Sequence, residues 1–137
     1  MSSKITPFIP LIVMLLSVEH VAAAELPPQT ISVVALSGER VRASITYGLN
    51  ADCSSQGEIK ARLIEPPKNG AAEIVNEKGF SNYGKDDQQY KCNEKPSDVV
   101  AYYYKSKDGF KGKDRFVIEW FSPNGNYRKR IFNVDVR

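Results

Sequence analysis

Few side chains in this sequence can do covalent chemistry near neutral pH. There is one histidine, His20, two cysteines, Cys53 and Cys92, and 16 carboxylates. His20 falls inside an N-terminal stretch with the layout of a secretory signal peptide. Lys4 supplies the positive start, Phe8 to Val18 the apolar middle, and Ala22-Ala23-Ala24 an A-x-A cleavage site before Glu25. The apolar run is roughly a dozen residues, against the 20 or so needed to span a bilayer. Removal of residues 1–24 takes Lys4, Glu19 and His20 together, so the net charge stays at +3 and no imidazole remains. That excludes Ser-His-Asp and Cys-His catalysis, His-ligated zinc or iron, and an imidazole pH switch. The expectation is a non-enzymatic protein with no catalytic residue, no cofactor and no metal.

Export places Cys53 and Cys92 where disulfides persist. They stand 39 positions apart, without the C-x-x-C spacing that tunes thiols for exchange. One structural Cys53–Cys92 disulfide is expected, contributing on the order of 4 kcal/mol by restricting the unfolded chain. No cysteine follows the cleavage site to carry a lipid, and no second apolar segment is long enough to span a membrane. The expected product is residues 25–137, exported and either periplasmic or secreted.

The remaining candidates are binding residues. Arg128, Lys129 and Arg130 form a basic triplet, and Arg40, Arg42, Lys60 and Arg62 fall on faces predicted to point outward. Such cations suit anionic polymers, but acids nearly match bases overall, so a solvated sheet face is the simpler reading and nucleic acid is not an expected partner. Tyr102, Tyr103 and Tyr104 alternate faces, and with Trp120 and Tyr127 they offer a sugar-stacking platform as an alternative to core packing. Asp86 and Asp87, with Asn82 and Asp98, offer oxygen ligands, yet their spacing matches no EF-hand and indicates a solvated loop.

These residues need a frame, and the hydrophobic pattern supplies one. Two-residue alternation marks strands over residues 30–36, 40–48, 57–64, 71–75, 99–105, 115–121 and 127–136. In the second, Val41, Ala43 and Ile45 oppose Arg40, Arg42, Ser44 and Thr46. In the last, Phe132, Val134 and Val136 point inward. Pro66-Pro67-Lys68-Asn69-Gly70 and Ser122-Pro123-Asn124-Gly125-Asn126 are turn signals. Residues 76–98 break the rhythm and predict a long loop tethered by Cys92, with Phe80, Tyr83 and Tyr90 as anchors. No sustained 3.6-residue period appears. Seven short strands predict an all-β antiparallel sandwich.

The stretch around Pro67 and Gly70, then Tyr104, Gly109, Phe110, Gly112, Asp114 and Phe116, resembles the bacterial Ig-like and cadherin-like repeats of large surface proteins. Those repeats carry a PP-x-x-G turn, then Y-x-P-x-x-G-F-x-G-x-D-x-F, then a closing hairpin. The likeness covers roughly residues 57 to 136. It implies an Ig-like β-sandwich in which Phe110 and Phe116 plug the core and Asp114 holds a corner by binding turn amides. Here the unit is single, Ser106 replaces the motif's proline, and a disulfide is added. The resemblance implies a spacer, adhesion or carbohydrate-contacting module with no catalytic site. The expected function is contact with a protein or envelope polysaccharide through loops, centred on residues 76–98. Tyr83, Asp86, Asp87, Tyr90, Tyr103, Tyr127, Arg128 and Arg130 are the candidate contacts, and a carbohydrate-binding module using exposed Tyr and Trp is the alternative.

Overall fold

The alternating Val, Ile, Tyr and Phe stretches suit a pleated, half-buried surface, and each becomes a strand. A computed structural model describes residues 26–137. The expected signal peptide, residues 1–24, lies outside the described residues. The strands are β1 (Gln29–Ala35), β2 (Arg40–Thr46), β3 (Lys60–Glu65), β4 (Gly70–Phe80), β5 (Pro96–Ser106), β6 (Gly112–Phe121) and β7 (Tyr127–Val136). They form two sheets, ordered β1-β7-β6-β3 and β2-β5-β4. The all-β, seven-strand expectation is met. Neighbours are antiparallel except β1 and β7, which run parallel with Ile31 opposite Phe132 and Val33 opposite Val134. Among the described residues, no helix is long and apolar enough to cross a membrane.

The inner faces of the two sheets share one core. β5 contributes Val100, Tyr102 and Tyr104, facing Phe116 and Ile118 of β6 and Phe132, Val134 and Val136 of β7. The Phe116 ring stacks on both Tyr104 and Phe132, at centroid distances of 5.9 and 4.4 Å. Such rings bring large apolar area into the core, beyond which each pair adds about 1 kcal/mol.

Strict alternation fails in β2. The register against β5 slips between Arg42 and Ser44, so Val41 faces Tyr104 while Ser44 faces Tyr102 and Thr46 faces Val100. A bulge inserts one unpaired residue and so reverses the faces that follow it. Ser44 and Thr46, expected outward with Arg42, therefore turn toward the core side. Thr46 is buried and shares a 2.8 Å hydrogen bond with the Tyr102 hydroxyl.

The long loop predicted over residues 76–98 is shorter. β4 continues to Phe80 and β5 begins at Pro96, with every residue of β4 paired from Gly70–Ser106 to Phe80–Pro96. Asn76, Glu77 and Lys78 break the hydrophobic rhythm because β4 is an edge strand, where charged residues are tolerated and guard against aggregation. Lys78 pairs with Asp98 at 2.7 Å. The connection proper is residues 81–95, including one 3₁₀ turn at Tyr90–Glu94.

At the opposite end the Asp114 carboxylate anchors the turn before β4. Its Oδ1 accepts from the Lys68 and Arg115 amides at 3.0 and 2.9 Å. Its Oδ2 accepts from the Asn69 amide at 3.0 Å and the Tyr104 hydroxyl at 2.9 Å. Pro67 sits half-buried in this turn. Gly70 follows where a Cβ would lie 2.4 Å from the Lys105 carbonyl oxygen, so only a bare backbone fits. Gly109 and Gly112 take φ of 78° and 130°, and Phe110 between them packs against the core.

Candidate functional site

β2 and β6 end, and β3, β5 and β7 begin, at the same end of the molecule, as the pairs Thr46–Val100, Lys60–Phe121 and Phe121–Tyr127 require. The connections 47–59, 81–95 and 122–126 consequently converge. The Cys53–Cys92 disulfide joins the first two, with Cα atoms 5.4 Å apart. A Cβ on Gly57 would lie 2.9 Å from Pro123 Cγ, which brings the third against the first. Cys53 adopts φ of 68°, a left-handed conformation uncommon for a residue with a side chain.

Hydrogen bonds stiffen this end. The Leu49 amide donates to the Tyr83 hydroxyl at 3.0 Å, and the Asn82 amide to the Tyr47 hydroxyl at 2.9 Å. The Tyr47 and Tyr83 rings meet edge-on at 5.1 Å. The side-chain amides of Gln56 and Gln89 both donate to the Leu49 carbonyl, and Leu49 itself is buried. Asn93 Oδ1 accepts from the Tyr83 amide at 2.8 Å while its Nδ2 donates to the Tyr83 carbonyl at 2.9 Å. One asparagine thus substitutes for a strand neighbour. Burial raises the Tyr83 hydroxyl pKa above its ordinary value.

On this frame the exposed aromatic residues are Phe80, Tyr90 and Phe121, at 59%, 45% and 40% of full exposure. Asp86 is exposed, and Asp87 Oδ2 accepts from the Gly84 amide at 2.8 Å, closing a turn. Among the described residues, no group of three or more His, Cys, Asp or Glu is placed to hold a metal. A half-open cavity of about 580 Å³ borders this end, between Gly48, Gly57 and Ile59 on one side and Asn76, Lys78 and Val100 on the other.

The structure disperses the residues of the imagined stacking platform. Tyr102 and Tyr104 are fully buried in the core. Tyr103 points from the outer face of β5, but the Arg40 guanidinium covers its ring at 3.4 Å and its hydroxyl donates to Glu77 at 2.9 Å. Arg40 is in turn bound to Glu73 at 2.9 Å, and Arg42 pairs with Glu77 at 3.5 Å. Trp120 is half-buried, and among the described residues its Nε1 has no hydrogen-bond partner. Tyr127 packs on Phe121 at 4.8 Å and donates to Glu119 at 3.0 Å. Burial opposes ionisation of Glu119, but the Arg62 guanidinium and the Tyr127 hydroxyl outweigh it and hold the carboxyl below its usual pKa.

The basic triplet also divides. Arg130, expected at the surface, is only 8% exposed. Its Nε donates to Gln29 Oε1 at 3.0 Å, and its Nη1 reaches Ser44 Oγ at 3.2 Å, the Ile45 carbonyl at 3.2 Å and Thr46 Oγ1 at 3.0 Å. The guanidinium lies 5.7 Å from the Tyr102 ring centroid. Burial lowers its pKa. The signal for this placement was parity: residues 130, 132, 134 and 136 share one face of a strand, and the last three are core residues. Arg128 lies on that same face, half-buried, whereas Lys129 lies on the other.

No protein-family model and no curated protein matches this chain. Among solved structures, the chain is similar to the solution structure of amebosin, with a TM-score of 0.42 and 12% identity, over 81% of this chain and 99% of amebosin.

Proposed function

We propose that this chain is an exported, non-enzymatic Ig-like module that contacts a protein or cell-envelope partner through its disulfide-tied loop end. The observation that carries the reading is the convergence of three connections, held by Cys53–Cys92, beneath the exposed Phe80, Tyr90 and Phe121. Exposed aromatics on a rigid frame lose little conformational entropy on binding and are enriched in protein interfaces. The groupings β2-β5-β4 and β7-β6-β3, which correspond to the B-E-D and G-F-C strands of an Ig sandwich, support the Ig-like assignment. The disulfide supports an oxidising compartment and therefore export.

Photo-crosslinking in the protein's native cells tests this. A crosslinker at Tyr90 or Phe80 is expected to give a discrete adduct, and one at Lys111, at the far end, none. Equal yields from both ends, or no adduct at the loop end, refute the reading.

A further inference from the structure

Seven arginines occur in the chain, all within the described residues. Five of them hold a carboxylate: Arg40 with Glu73, Arg42 with Glu77, Arg62 with Glu119, Arg115 with Glu65, and Arg137 with Asp135. Arg128 and Arg130 hold none among the described residues, and they are i and i+2 on one face of β7. Along a strand that spacing is about 7 Å, close enough for two guanidinium groups to grip one oxyanion. Arg130 is the deeper of the two. A buried charge is ordinarily paired, yet every partner of Arg130 is neutral: an amide oxygen, two hydroxyls and a carbonyl. Those bonds use Nε and Nη1. Among the described residues Nη2 has no hydrogen-bond partner. The acid at this level of the sheet, Glu119, stands opposite Lys129 on the other face and is held by Arg62 and Tyr127. The Arg128 charge further opposes protonation of Arg130. The two positive groups therefore reinforce one another, and no carboxylate among the described residues pairs with either.

We infer that Arg128 and Arg130 form an oxyanion-binding site at the start of β7, beside the seam between β1 and β2, taking a phosphate or carboxylate group. Arg130, fixed by Gln29, Ser44 and Thr46, presents Nη2 from a rigid position, and Arg128 closes on the ligand from the rim. A planar guanidinium matches such oxygens in pairs. This inference does not depend on the loop-end reading.

The test follows the arginine Nε–Hε NMR signals of the full chain during titration with inorganic phosphate. A parallel titration uses acetate, and sodium chloride holds ionic strength constant in both. Saturable shifts of Arg128 and Arg130, with Arg62 and Arg115 unmoved, are expected. Saturation by phosphate alone assigns the site to phosphate groups; saturation by acetate as well assigns it to carboxylates too. Arg128→Gln, a substitution at a partially exposed side chain with no ion pair, should keep the melting temperature and weaken binding about tenfold or more. A shared, unsaturated drift of all arginine signals in both titrations overturns the inference. So does an unchanged affinity in Arg128→Gln.

Discussion

The Tyr104 hydroxyl donates to the Asp114 carboxylate at 2.9 Å inside the domain, and the same carboxylate accepts from three backbone amides. One side chain thereby ties the start of β6 to the end of β5 and to the turn before β4. Removing it leaves one buried hydroxyl and three partly buried amides without this partner, whereas removing the tyrosine hydroxyl leaves the amide bonds intact.

Asp114→Ala is therefore expected to cost about 3 kcal/mol or more, and Tyr104→Phe only about 1 kcal/mol. Urea unfolding midpoints measure both. Equal losses would mean that the amide bonds to Lys68 and Asn69 contribute little.

Breaking the Cys53–Cys92 link should lower stability by about 4 kcal/mol, from the loop that it closes. Cys53 also adopts φ of 68°, which glycine accepts without strain. With Cys92→Ala as the common background, Cys53→Gly should be more stable than Cys53→Ala by about 0.5–1 kcal/mol. Denaturant titration of the two double variants decides this. The opposite order would show that the left-handed backbone relaxes once the bridge is gone.

Stability should fall at both extremes of pH. Glu119 has a folded pKa below its ordinary 4.5, and Asp135 one below 3.8, the latter held chiefly by a hydrogen bond from Lys113. Lowered carboxyl values give stability that is present above the unfolded pKa and lost as pH falls through the folded one. Burial raises Tyr102 and Tyr104 above their ordinary 10, and the Asp114 bond raises Tyr104 further. Raised tyrosine values give stability that is present below the unfolded pKa and lost as pH climbs through the folded one. Phenolate absorbance should show these two tyrosines ionising only on unfolding. Glu119→Gln should flatten the acid side and, because the Tyr127 hydroxyl is raised by burial and also by the Glu119 carboxylate, a smaller part of the alkaline side.

Strand positions, turn positions and the single disulfide pairing were legible from the sequence because each depends on local alternation, local turn chemistry or elimination. Phe116, Ile118, Phe132 and Val134 are core residues wherever their strands pack. The inward aim of Arg128 and Arg130 was equally legible by counting in twos from Phe132, but their charge argued for the surface and obscured it.

What lies across the sheets was not legible. The bulge after Arg42 is set by pairing with β5, and only that pairing turns Thr46 inward to meet Tyr102 and Arg130. The extension of β4 through Asn76, Glu77 and Lys78 rests on hydrogen bonds to residues 98–100, which no hydrophobic pattern records. The choice of Tyr102 and Tyr104 for the core and Tyr103 for the cover of Arg40 also follows from which face meets the second sheet. Alternation along a strand is a property of neighbouring residues, so the amino-acid order alone determines it. The facing of sheets, and the partners a buried cation finds there, are long-range contacts that exist only once the chain has closed on itself.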